Sequence, residues 1–138
     1  MNIMFFLKPK AEVSYLYDYN TIIKGLEKMQ AYNFAGIPVI DKEGRYVGTV
    51  TQGDFLWKLV ELGSVRNAAS ENVLVKDILK ADRNVPLGTN ASVDDVLNRA
   101  MDQNFVPVVD SRNMFIGIVT RRDILRYFRD VNLSLIHI

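Results

Sequence analysis

Residues 37–56, IPVIDKEGRYVGTVTQGDFL, and residues 106–125, VPVVDSRNMFIGIVTRRDIL, are one segment written twice, 69 positions apart and without a gap. Pro38/Pro107, Val39/Val108, Asp41/Asp110, Gly48/Gly117, Val50/Val119, Thr51/Thr120, Asp54/Asp123 and Leu56/Leu125 are identical, and four further positions exchange similar apolar residues. A period this long in 138 residues means two copies of one supersecondary unit. Two copies are too few for a solenoid, so a closed pair about a pseudo-two-fold axis is expected, with function at the repeat interface.

Each copy reads as strand, helix, strand, strand, helix. In the first, residues 12–17 are β-rich, and Asn20 is placed to cap a helix over residues 21–32 with Ile22, Ile23, Leu26 and Met29 at helical spacing. Strands over 37–40 and 46–50 flank a hairpin turn, Asp41-Lys42-Glu43-Gly44. A second helix starts at Thr51, with Phe55, Leu56, Leu59 and Val60 expected inward and Gly63 as its stop. Residues 64–72 are a polar linker. The second copy predicts a strand at 84–87, a helix over 92–103, strands at 105–109 and 115–119, and a helix over 120–129. Ser92-Val93-Asp94-Asp95 is a capping box for its first helix. The expected division is 1–66 and 67–131, with 132–138 a tail that matches neither repeat. Val39, Val47, Val108 and Ile116 are candidates for the sheet face turned away from the helices, buried between the copies. Gly25 costs about 1 kcal/mol against alanine inside a helix, and close packing on the other repeat would explain it. Met29 lies nine residues before Pro38 and Met101 six before Pro107, an apparent shortening by three.

Bulk properties narrow the function. Seventeen Lys+Arg against sixteen Asp+Glu give a net charge of +1, which provides no electrostatic case for nucleic acid or for an anionic membrane. No stretch has transmembrane or signal-peptide length, so a cytoplasmic protein is expected. Cysteine is absent, and the single histidine, His137, sits at a terminus where fraying is the rule. There is no Ser–His or Cys–His pair and no Walker-type loop, so no enzyme and no metal or other cofactor is expected.

The candidate site is the pair of strand-to-helix junctions, residues 48–54 and 117–123. Each sets a hydroxyl and a carboxylate three residues apart. Thr-x-x-Asp is an ordinary N-cap, and Ser92–Asp95 shows the chain using that device elsewhere. A helix N-terminus also attracts anions, and an Asp suits the paired hydroxyls of a ribose. On spacing alone capping is the commoner reading.

With both motifs in both copies, the chain resembles a tandem CBS-domain protein over roughly residues 8–129. The resemblance implies an α+β fold: two β-α-β-β-α CBS repeats packed through their sheets as a pseudo-two-fold pair, the Bateman module. It implies a regulatory sensor that binds an adenosine nucleotide between the repeats, works as a homodimer and signals to an effector protein. Carried over, one cleft combines Thr120, Arg121, Arg122 and Asp123 with Ala35, Gly36, Ile37, Val13 and Ser14. A second, weaker cleft combines Thr51, Gln52 and Asp54 with Asn104, Phe105, Val106 and Val85. The first offers two arginines for phosphate and small residues for the base. The second has no cation in its motif and a bulky Phe105. The alternatives are a nucleotide-independent dimerisation or protein-interaction module, with Trp57 and Leu62 on apolar helix faces, and a nucleic-acid binder using Arg121, Arg122, Arg126 and Arg129. Net charge and the nearby Asp123 and Asp130 argue against the last.

Overall fold

The computed structural model describes residues 2–32, 36–63 and 72–136. In chain order the elements are β1 (Lys8–Pro9), β2 (Leu16–Tyr17), α1 (Ile22–Tyr32), β3 (Gly36–Ile40), β4 (Tyr46–Thr51), α2 (Gln52–Leu62), β5 (Leu87–Gly88), α3 (Val93–Ala100), β6 (Phe105–Val109), β7 (Phe115–Thr120) and α4 (Arg121–Ile136). Short 3-10 turns cover Ile3–Phe6, Lys10–Glu12 and Val75–Asp77. The fold is α+β, as expected.

The chain forms two compact units, and they are not the chain-order halves 1–66 and 67–131. One unit is Ser14–Val85; the other joins Met1–Val13 to Pro86–Ile138. In the first-repeat unit the sheet runs β2-β3-β4, with β2 parallel to β3 and β3 antiparallel to β4. Lys80 adds a bridge at its edge, exchanging backbone hydrogen bonds with Thr49. In the second-repeat unit the order is β1-β7-β6-β5, and the edge strand is Lys8–Pro9, paired with Ile118 and Gly117. Thr49 and Ile118 are equivalent by the 69-residue period, so Lys80 and Lys8 are equivalent too. Residues 6–13 (FLKPKAEV) and 78–85 (ILKADRNV) are thus a third repeated segment, and each is packed on the repeat it does not precede.

Two cores result. Leu16, Ile22, Met29, Ile37, Val39, Val50 and Phe55 pack with Val75 and Ile78 in the first unit. Ile3 and Phe6 pack with Val96, Ala100, Val108, Val119 and Ile124 in the second. Val39 and Val108 therefore face the helices of their own unit, not the outer sheet face, and Val47 and Ile116 pack against the same cores. The glycine of each G-h-h-T motif has a packing reason. A β-carbon on Gly117 would lie 2.2 Å from the Lys8 carbonyl oxygen, and one on Gly48 would lie 2.9 Å from that of Lys80. The exchanged edge segments come too close for any side chain there.

Local chemistry explains most element ends. Asp41 and Asp110 turn their hairpins by accepting from the backbone N–H groups two and four residues on. For Asp110 these backbone bonds hold the carboxyl below its ordinary range. Gly63 ends α2 in a left-handed conformation. Other expectations shift. Residues 12–17 yield only the strand Leu16–Tyr17, and the strand expected at 84–87 is Leu87–Gly88. Asn20 folds back to accept from Tyr17 N–H, and Thr21 caps α1 instead, accepting from Lys24 N–H. Gly25 packs on Phe55 and Leu16 of its own unit. The helix expected at 92–103 is shorter, because Ala100, not Met101, takes the place of Met29. Both Ala100 and Met29 are buried, whereas Met101 is 79% exposed. Counting from Leu16/Leu87 against Val39/Val108, the second repeat is shorter by two residues, not three. Leu56 and Val60 point outward, 61% and 64% exposed, while Phe55 and Leu59 face the core. The tail expected at 132–138 continues α4 as far as Ile136; His137 lies outside the described residues.

Candidate functional site

The antiparallel hairpin fixes what each motif meets within its unit. Gly36 pairs with Thr51, and Phe105 with Thr120. Arg121 N–H then donates to the Asn104 carbonyl at 3.0 Å. The structure thus brings Asn104 to Thr120, Arg121 and Arg122 inside the second-repeat unit, although the carry-over set Asn104 with Thr51. Phe105 and Val106 lie in that unit too, as does Val13, whereas Ser14, Gly36, Ile37 and Val85 belong to the first-repeat unit with Thr51, Gln52 and Asp54. Ala35 lies outside the described residues. Ile37, Phe105 and Val106 are buried and offer no free side-chain surface.

Both motifs cap their helices, as the spacing allowed. Thr51 Oγ1 accepts from Asp54 N–H at 3.4 Å while Asp54 accepts from Thr51 N–H at 2.9 Å, a full capping box. Thr120 Oγ1 accepts from Asp123 N–H at 3.0 Å. The carboxylates differ sharply. Asp54, only 10% exposed, is gripped by both guanidinium nitrogens of Arg83, with Nη2 donating to Oδ1 at 3.3 Å. Partial burial pushes the Asp54 carboxyl up, but the Arg83 hydrogen bonds and charge and the Thr51 N–H outweigh it and hold the group below its ordinary range. Asp123, half-buried, has no hydrogen-bond or ion-pair partner for its carboxylate among the described residues.

Arg83 is itself held. Tyr46 donates from its hydroxyl to the Asn84 carbonyl at 2.9 Å and to the Arg83 carbonyl at 3.2 Å, and shares a 2.7 Å bond with the Thr49 hydroxyl. Burial pushes the Tyr46 hydroxyl up to about 12, against smaller opposing pulls from Thr49 and Arg83, so it stays protonated as a donor. Asn84 takes a left-handed φ of 54° to make this turn. Arg83 and Tyr46 are the site residues that sequence reasoning missed. The echo of residues 6–13 in 78–85 was the available signal that position 83 reaches a repeated element.

Around Thr120 lies a groove of about 520 Å³ lined by Asn104, Thr120, Arg121, Arg122, Leu125, Arg126 and Arg129. Arg121 Nε donates to the Ala100 carbonyl at 2.8 Å, and Arg129 pairs with Asp130. Arg122 and Arg126, one helical turn apart, form no ion pair among the described residues. The groove can hold an anion at Arg122 and Arg126, and Asp123 stands next to Arg122 in the chain without lining the groove.

The CBS domain family model matches residues 9–61 and again 75–130, most of the chain. The chain belongs to the CBS-domain family. This CBS pair is 29% identical over 107 residues to an inosine-5'-monophosphate dehydrogenase of Methanocaldococcus jannaschii, covering 78% of this chain and 20% of that enzyme. It spans about a fifth of the length of the first two curated relatives it matches, so the likeness to those enzymes lies in their CBS portion. Hypoxic response protein 1 of Mycobacterium tuberculosis is 26% identical over 119 residues, with 85% of this chain and 79% of that protein covered. Among solved structures, CbpB in complex with c-di-AMP superposes with a TM-score of 0.90 at 22% identity, covering 99% of the CBS pair and 90% of CbpB. CBSX2 in complex with AMP gives 0.77 at 22% identity, covering 95% and 98%. These likenesses establish the fold. No helix among the described residues is long and apolar enough to cross a membrane.

Proposed function

We propose that this CBS pair is a regulatory ligand sensor whose second-repeat motif binds an adenosine nucleotide, with Asp123 accepting from the ribose hydroxyls and Arg122 and Arg126 meeting the phosphates. One observation carries the reading: in the first turn of α4 a half-buried carboxylate, Asp123, has no partner among the described residues, and the neighbouring groove carries two arginines, Arg122 and Arg126, that form no ion pair among them. A structural cap needs neither. The c-di-AMP bound by CbpB and the AMP bound by CBSX2 are consistent with this ligand class. The expected setting is the cytoplasm, and the output passes to an effector protein.

Arg122, Arg126 and Arg129 extend over ~10 Å of helix, longer than one phosphate needs. Calorimetry with ATP, ADP and AMP is therefore expected to rank them in that order. Each added phosphate that gains an arginine should strengthen binding roughly tenfold, at the lower end of charge-assisted bonds. The preference should shrink as salt is raised. No heat with any of the three would sink the reading.

A separate observation favours self-association. Leu56, Trp57 and Val60 form an outward apolar strip on α2, with Trp57 75% exposed, and Leu125 is 64% exposed on α4. Such patches usually mark interfaces. A homodimer is expected in sedimentation equilibrium at micromolar concentration with or without nucleotide, and a monomer mass would contradict it.

A further inference from the structure

The two repeats carry the same Thr-x-x-Asp motif, yet only one of its carboxylates is available. Everything that occupies Asp54 is present as a set in one unit and missing as a set in the other. Arg83 stands three residues after Lys80, which pairs with Thr49; three residues after Lys8, which pairs with Ile118, stands Ala11. The period of 69 turns Tyr46 into Phe115 and Thr49 into Ile118, removing both hydroxyls that hold the Arg83 turn. The left-handed Asn84 is likewise confined to the first-repeat unit, at 8% exposure. An ordinary helix cap would need none of these parts, as Ser92 and Asp95 show: that box closes with the hydroxyl and carboxylate alone.

We infer that Tyr46, Thr49 and Arg83 form an internal latch that closes the first-repeat motif to ligand, Arg83 occupying the carboxylate and Tyr46 acting as the positioning residue that holds Arg83 there. The ligand stoichiometry of the chain is therefore set by residue 83. This rests on the reading that the free carboxylate of the second repeat is the ligand group. When the latch is removed, Asp54 is exposed beside a groove of about 290 Å³ lined by Trp57, Lys58, Glu61, Asp77, Ile78 and Lys80, in which Lys80 supplies a cation for phosphate while Lys58 pairs with Glu61.

The chain's single tryptophan reports on this motif, because Trp57 lines the Asp54 groove. ATP is titrated into the native chain, Arg83→Gln and Tyr46→Phe, following heat and Trp57 fluorescence together. The native chain should give a stoichiometry near one with Trp57 unchanged. Arg83→Gln should add a second binding event that changes Trp57 emission, and Asp54→Asn in that background should abolish it. Tyr46→Phe, which copies the second repeat's Phe115 and keeps the fold, should give the same second event more weakly. A flat Trp57 signal in both variants overturns the latch. So does a Trp57 change in the native chain that Arg83→Gln removes, since Arg83 would then be a ligand-binding arginine. Absence of heat in the native chain together with a Trp57 response in Arg83→Gln overturns the proposed sensor site and leaves the latch standing.

Discussion

Ile3→Ala is expected to destabilise the second repeat and leave the first nearly untouched, although residue 3 precedes the first repeat in the chain. Ile3 is fully buried among Val96, Val108, Val119 and Ile124, and its N–H donates to the Ala91 carbonyl at 2.9 Å. Truncating a fully buried isoleucine removes its transfer free energy and leaves a cavity, a loss of about 2–5 kcal/mol. That is a large share of a domain's total stability, which is typically about 5–15 kcal/mol. Native-state hydrogen exchange resolves where the loss falls, because opening free energies differ between cooperative units. Amides of β5, β6 and β7 should lose protection while those of β2, β3 and β4 hold theirs. Loss confined to β2–β4 would show that the segment works in chain order and that the exchanged edges are wrong.

The contrast between repeat and exchange shows where sequence reading reaches its limit. Hairpins, caps and the repeat itself were legible because their chemistry is local: Asp41 turns its own strand, Gly63 stops its own helix, and the 69-residue period aligns every element between them. The edge strands were not legible. Lys8 pairs with Ile118 at a separation of more than a hundred residues, and a two-residue strand carries no periodicity to announce it. Its footprint was nevertheless present in Gly48 and Gly117. Those glycines read as part of a ligand motif, whereas the structure shows a neighbouring backbone in the space a side chain would fill. The inward set on α2 was half right for a related reason. Phe55, Leu56, Leu59 and Val60 form one broad apolar stripe, and only the sheet beneath decides that Phe55 and Leu59 are its buried half.

At the site, the residue types were legible and their availability was not. The second cleft was expected to be weaker because its motif lacks a cation, yet the structure supplies one in Arg83, 29 residues beyond Asp54. That cation weakens the motif by occupying it. The arginine row was visible as spacing on a helix, and the groove around it turns the spacing into a surface that faces Thr120 and Asn104. A carboxylate's value as a ligand group depends on whether the fold has already satisfied it, and that depends on contacts distant in sequence.

Asp54→Ala and Asp123→Ala are expected to give opposite signatures in stability and binding. Asp54 closes the capping box and neutralises a partly buried Arg83, so its loss removes a cap worth about 0.5–2 kcal/mol and strands a cation in the fold. The expected total is about 2–4 kcal/mol, with nucleotide affinity unchanged because that carboxylate was never available. Asp123→Ala leaves the Thr120 cap intact, since its own backbone N–H makes that bond. It should cost no more than the helix-dipole interaction, about 0.3–1 kcal/mol. It should, however, remove charge-assisted hydrogen bonds to ribose worth about 1.5–3 kcal/mol, roughly a ten- to hundredfold loss of affinity. Urea unfolding of the free chains and ATP calorimetry on the same preparations measure both quantities. If Asp123 were only a cap, both variants would lose stability and neither would lose affinity. If both motifs were open, both would lose affinity alike. Only a chain with one satisfied and one free carboxylate gives the crossed result.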